Sequence, residues 1–276
     1  VTRREGVGPA GAATAVLAGL APVPAGEPPR VAVIVPATDT GVEIELPGLV
    51  AGRASIHVAR ARLDAVTVAD LLAMEHDAVA QAAALAPIRP VALVLGCTSA
   101  SFVRGRANEA ELAARLAEAA GAPVILTAQA MAAGLRRRGS RVRLRASYTQ
   151  DIVDAERAYL ESYGLDVVSA EGLGITEDEQ TARVGADELV RFATTGAEDG
   201  ADVVMLSCTN LRTAVVHEEL ERRIGLPVLS SNRAMAESLT DFLDGHGLAG
   251  ARPDDVSHQK PTTAGAEQPV RTGETR

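Results

Sequence analysis

A chain of 276 residues, 47% of them hydrophobic, can bury a sizeable core as one large domain or two small ones. A net charge of −9 repels a phosphate backbone and an aromatic content of 2% offers little for base stacking, which argues against nucleic-acid binding. No apolar stretch approaches the ~20 residues of a membrane span. Two cysteines without a CxxC or a nearby His make neither a disulfide framework nor a metal site, so a reduced, cytoplasmic protein is expected.

In chain order, residues 1–30 are rich in Ala, Gly and Pro, with Arg3 and Arg4 ahead of a weakly apolar stretch, and read as a disordered extension. Strand-length apolar runs follow at Val31–Val35, Val91–Leu95, Val124–Leu126, Val142–Leu144, Leu165–Val168, Val203–Leu206 and Val228–Leu229. Amphipathic helical segments lie between them at Val68–Leu85, Glu109–Ala119, Ile152–Tyr163 and Thr213–Arg223. Buried, unalternating strands separated by helices predict an α/β fold with parallel sheets. Residues 250–276 are polar, Pro/Gly-rich and aperiodic, and read as a disordered tail.

The region between the tails repeats itself. Val91-Ala-Leu-Val-Leu-Gly-Cys97-Thr98-Ser99 resembles Val203-Val-Met-Leu-Ser-Cys208-Thr209-Asn210, and Gly121-Ala-Pro-Val-Ile-Leu-Thr-Ala-Gln-Ala-Met-Ala132 resembles Gly225-Leu-Pro-Val-Leu-Ser-Ser-Asn-Arg-Ala-Met-Ala236. Each copy runs strand, Cys-Thr, helix, Gly-x-Pro, strand, polar turn, helix. Two pseudo-symmetric α/β halves, 31–138 and 139–249, are therefore expected around an interfacial site, with one cysteine at the carboxyl end of a strand in each.

A thiol between a strand end and a helix start faces unpaired backbone N–H groups, which favour anions and lower a thiol pKa. Thr98, Ser99, Thr209 and Asn210 add short donors for a carboxylate. With Cys97 and Cys208 on two sides of a small carboxylate, one sulfur can remove a proton while the other delivers one. Alternatively, one thiolate adds to an activated double bond. The plain alternative, two core cysteines, sits poorly with matched positions in a repeat.

Leu95-Gly-Cys-Thr-Ser-Ala-Ser-Phe-Val-Arg-Gly105, Leu206-Ser-Cys-Thr-Asn-Leu-Arg-Thr213 and the later Pro-Val-Leu-Ser-Ser-Asn-Arg-Ala-Met-Ala resemble motifs of the aspartate/glutamate racemase superfamily over residues 31–244. The nearest branch by resemblance is that of maleate cis–trans isomerases, with ectoine-utilisation proteins and arylmalonate decarboxylases. The resemblance implies a cofactor-independent racemase or isomerase, with Cys97 as nucleophile or base and Cys208 as proton donor or acceptor. Arylmalonate decarboxylases keep only the second-half cysteine, so Cys97 argues against decarboxylation.

Tyr148 matches a tyrosine that hydrogen-bonds the substrate carboxylate. Asp39, in Pro36-Ala-Thr-Asp-Thr40, and Asp178 fall where the maleate isomerases carry substrate-contacting Asn residues. An ionised Asp only accepts hydrogen bonds. If both line the site, a plain dicarboxylate is disfavoured and a ligand with an amine or hydroxyl at one end is suited. The alternatives are a helix-capping Asp39 and a solvated loop charge at Asp178.

Arg136, Arg137, Arg138, Arg141, Arg143 and Arg145 form a basic run, and the alternating Arg143 and Arg145 imply one polar strand face. His57 and His217 are read as packed or solvent-facing. Gly172-Leu-Gly174 lacks the rest of a dinucleotide fingerprint, so no cofactor is implied. The expected partner is a small carboxylate or amino-acid substrate, with neither nucleic acid nor membrane, and with a homodimer as an allowed assembly.

Overall fold

The computed structural model describes residues 27–196 and 198–248. The expectations for 250–276, and for the extension up to residue 26, lie outside these residues. The first strand starts at Arg30, inside the span read as extension, because its backbone pairs with Ser55.

The first half runs β1 (Arg30–Pro36), α1 (Gly41–Leu49), β2 (Ser55–Ala61), α2 (Val68–Leu85), β3 (Ala92–Leu95), α3 (Thr98–Phe102), α4 (Glu109–Ala120), β4 (Val124–Leu126) and α5 (Thr127–Arg136). The second runs β5 (Arg141–Ala146), α6 (Gln150–Glu161), β6 (Asp166–Gly172), α7 (Asp178–Thr181), α8 (Ala186–Thr194), β7 (Val203–Ser207), α9 (His217–Ile224), β8 (Val228–Ser230) and α10 (Ser231–Gly245). Each half builds a four-stranded parallel sheet, β2-β1-β3-β4 and β6-β5-β7-β8. The expected α/β fold of two pseudo-symmetric parallel-sheet halves is thus present. β2, an edge strand half-buried from Ser55 to Ala59, exposed at Arg60 and buried at Ala61, has no continuous apolar run and so gives no strand signal by periodicity.

The halves interlock through their last helices. Met235, Ala236, Leu239 and Leu243 of α10 are buried against Val31, Val33 and Val35 of β1 and Val42 and Leu46 of α1 in the first half. α10 also packs on α5. The contact is reciprocal: Thr127 Oγ1 donates to Met235 Sδ at 3.7 Å and Ser231 Oγ donates to Met131 Sδ at 3.5 Å. These four residues are matched pairs of the repeat, so α5 and α10 face each other as its symmetry requires.

The polar face of β5 has a structural use. Arg143 and Arg145 are fully buried. Arg143 forms a two-pronged pair with Asp199, Nε to Oδ2 and Nη2 to Oδ1 both at 2.7 Å. Arg145 donates to the carbonyls of Leu144, Phe192 and Thr195 and to Ser169 Oγ. Together they fasten α8 and the chain after it to the sheet.

Candidate active site

Cys97 follows β3 and occupies the N-cap of α3. Its sulfur lies 3.8 Å from Ser99 Oγ. Cys208 follows β7 but starts no helix: its carbonyl accepts the Leu211 N–H at 3.3 Å, and α9 begins only at His217. The helix expected directly after the second Cys-Thr is replaced by a turn. Cys208 has φ +147°, a region L-residues rarely adopt and one that costs of order 1–3 kcal/mol unless the surroundings enforce it.

Two side chains do the enforcing. Ser231 Oγ accepts from the Cys208 N–H at 3.2 Å and from Thr98 Oγ1 at 2.9 Å, tying the turns of both halves to one hydroxyl. Asn210 Oδ1 accepts from the N–H groups of Thr40, at 2.9 Å, and Gly41, at 3.2 Å. Asn210 Nδ2 donates to the Asp178 carbonyl and to Asp178 Oδ2 at 2.9 and 3.1 Å. The Cys208 turn is thereby clamped to the start of α1, so closely that a Cβ on Gly41 would run into the Thr209 carbonyl oxygen.

This corrects one expected role. The sequence motif implies a substrate donor at Asn210, yet every polar atom of its side chain is engaged by the protein, so it positions the turn. Thr98 likewise spends its hydroxyl proton on Ser231. Ser99 and Thr209 keep theirs near the site: Ser99 beside the Cys97 sulfur, Thr209 beside the Asp39 carboxyl.

Asp39 and Asp178 are both buried. Asp178 is no solvated loop charge: Thr38 Oγ1 donates to its Oδ2 at 2.7 Å, the same oxygen that Asn210 uses. Asp39 does cap a helix, its Oδ1 accepting the Val42 N–H at 3.0 Å, while its Oδ2 is buried with no hydrogen-bond partner among the described residues. Burial pushes the Asp39 carboxyl up to about 7, against the pull of the Val42 N–H and the Thr209 hydroxyl and with a push from Asp178. Near neutrality Asp39 is therefore partly a neutral acid, able to donate as an Asn would. The repulsion of a dicarboxylate expected from an ionised Asp holds only above that range.

The thiols depart from expectation in the same way. Burial pushes the Cys97 thiol up to about 12, although the Ala100 N–H and Ser99 pull it down. Burial also raises Cys208, followed by Asp178, outweighing Ser147 and the Asn210 N–H. The helix-start donors act in the anticipated direction, but desolvation and two carboxylates outweigh them. Tyr148 is buried, and its phenol is raised by burial first and then by Cys208, Glu156 and Cys97, with its hydroxyl against Cys208. Its ring meets Phe102 edge-on, centroids 6.4 Å apart.

The described structure thus brings Cys97, Cys208, Asp39, Tyr148, Asp178, Thr98, Ser99, Thr209 and Asn210 into one polar cluster between the halves. His57 lies elsewhere, on edge strand β2 beside Ser55 Oγ. His217 pairs with Glu221 at 3.5 Å and borders a cavity of about 360 Å³ with Glu45, Thr213 and Arg233. Ser147, Ser207, Ser231 and Glu156 were missed. Only Ser231 left a signal, as the repeat partner of Thr127. Among the described residues no group of three or more His, Cys, Asp or Glu is placed to hold a metal ion, and no helix is long and apolar enough to cross a membrane.

Two parallel-sheet halves with cysteine at a strand end facing the junction define the racemase-like α/β class in which cysteine-based isomerases and decarboxylases are found. The sequence profile of arylmalonate decarboxylase matches residues 31–249, and the chain belongs to that family. It is 37% identical over 163 residues to the arylmalonate decarboxylase of Bordetella bronchiseptica, a match covering 56% of this chain and 65%, just under two thirds, of that relative. It is 28% identical over 217 residues to the maleate isomerase of Geobacillus stearothermophilus, covering 73% of this chain and 86% of the other. A Nocardia farcinica maleate cis–trans isomerase mutant with a covalently bound succinylcysteine intermediate superposes with a TM-score of 0.74 at 25% identity, over 78% of this chain and 93% of that one.

Proposed function

We propose that the protein is a cofactor-independent isomerase of a small unsaturated carboxylate, working through Cys97 and Cys208 as a pair. The observation that carries this reading is the Ser231 bridge: one hydroxyl holds the Cys208 backbone and the residue after Cys97. Tyr148, in electrostatic contact with both sulfurs, supports it further.

With both thiols neutral in the ligand-free protein, the first step needs a proton acceptor. The Asp39 carboxylate is coupled to both thiols and has an unpartnered oxygen. In the proposed sequence Asp39 takes the Cys97 proton and the sulfur bonds to one alkene carbon. The displaced π pair on the neighbouring carbon then takes the Cys208 proton. Rotation about the new single bond and reversal of each step release the trans isomer and restore all three groups. The succinylcysteine carried by the Nocardia farcinica relative is an adduct of this kind. Ser99, Thr209 and Tyr148 bind the carboxylate.

A second reading, decarboxylation of a substituted malonate, is favoured by the 37% identity to an arylmalonate decarboxylase; Cys97 stands against it. Incubation with maleate, with N-acetylated diaminobutyrates and with phenylmalonate, followed by proton NMR in D₂O, separates the readings. Fumarate formation supports the proposal, deuterium at the α-carbon of a diaminobutyrate supports racemisation, and phenylacetate with CO₂ supports decarboxylation.

A further inference from the structure

Glu156 sits on the buried face of α6 with Ile152, Val153, Tyr159 and Leu160, and is itself fully buried. The β5–β7 register pairs Val142 with Val203, Leu144 with Met205 and Ala146 with Ser207 on one face of the sheet, and Arg143 with Val204 and Arg145 with Leu206 on the other. Glu156 faces Ser207, so both buried arginines point away from it. Glu171 of β6 pairs with Arg145 at 3.5 Å and lies on that far side as well.

On its own side Glu156 meets an apolar sheet face with one hydroxyl, and neither carboxyl oxygen, nor Ser207 Oγ, has a hydrogen-bond partner among the described residues. The titratable groups in front of it belong to the candidate site: Tyr148 from the β5–α6 turn, Cys208 one residue beyond Ser207, and Cys97 at the start of α3, which packs on α6. A carboxyl so placed has nothing to balance a charge, and burial pushes it up to about 8.

We propose that Glu156 is a positioning residue of the active site, held as a neutral acid behind Tyr148 and Cys208, whose ionisation sets the alkaline limit for binding an anionic ligand. It never touches the ligand. As a neutral acid it lets the site accept a carboxylate next to Asp39 and Asp178; as an anion it adds a third negative charge behind the phenol that receives that carboxylate. The inference rests on the proposed function only in that the ligand is an anion.

Two measurements test it, and the first needs neither turnover nor ligand. The full-length protein is labelled with carbon-13 at tyrosine Cζ and titrated by NMR. The Tyr148 resonance is expected to show a small step near pH 8, well before the phenol ionises, and Glu156→Gln is expected to abolish it.

The second measurement is calorimetric titration with maleate between about pH 7 and about pH 9. Affinity should fall on the order of tenfold with Glu156 ionisation, the scale of one added like charge acting through an effective dielectric of ~20. Glu156→Gln should retain only the weakening centred near pH 7 that belongs to Asp39. A Tyr148 step that persists in Glu156→Gln, or a wild-type protein with no step between about pH 7 and about pH 9, would overturn the proposal whether or not maleate proves to be the ligand.

Discussion

Replacing Asp39 by Asn should make the protein more stable at alkaline pH than at acid pH relative to the wild type, by an amount the structure sets. The wild-type carboxyl is raised from 3.8 to about 7, chiefly by burial. Between those values the unfolded chain has already released the proton that the native protein keeps, so native stability falls as pH rises and the loss is complete above about 7. At ~1.4 kcal/mol per pH unit, the interval from about pH 5 to about pH 8 contains ~3 kcal/mol of this loss. Asn has no proton to lose. Its Oδ1 can still accept the Val42 N–H, and its Nδ2 replaces an oxygen that has no hydrogen-bond partner. Urea unfolding of both proteins at the two pH values reads the difference directly, since ΔG extrapolates linearly with urea. Wild type and variant should diverge by ~3 kcal/mol across that interval. Curves that stay parallel would mean that Asp39 is already ionised in the native state, and the electrostatics assigned to the site would be wrong.

Other substitutions probe the frame of the site. Ser231→Ala removes the acceptor shared by the Cys208 N–H and the Thr98 hydroxyl, leaving buried donors unmatched. A loss of ~1–3 kcal/mol in urea unfolding is expected, with a larger proportional fall in kcat than in stability, because the strained φ of Cys208 loses one of its two restraints. Arg143→Ala strips the partner from Asp199 far from the thiols, so thermal unfolding should report ~3–5 kcal/mol of destabilisation while the maleate affinity of the folded fraction is unchanged.

The sequence made the repeat plain because duplicated strands and cysteines keep their spacing, and that alone placed two thiols at matched strand ends. The edge strand Ser55–Ala61 was hidden because half-buried positions need no apolar run. The clamp on the Cys208 turn was hidden for another reason: Asn210 and Thr40 lie 170 residues apart, and nothing local distinguishes an amide that binds substrate from one that binds backbone. The thiols were misjudged because the pull of helix-start donors can be read from neighbours in sequence, whereas burial and the nearby Asp39 and Asp178 come from the packed halves. Arg143 and Arg145 read only as one polar strand face; their partners include main-chain carbonyls and Asp199, from a connection whose path the sequence does not give.

The most direct test of the central claim is proton NMR of maleate in D₂O with wild type, Cys97→Ser and Cys208→Ser, each shown to be folded. Wild type is expected to form fumarate, and each single variant to fall by at least about a hundredfold, since Cys97 supplies the bond to carbon and Cys208 the proton. Fumarate formed at the wild-type rate by either serine variant would contradict a two-thiol mechanism.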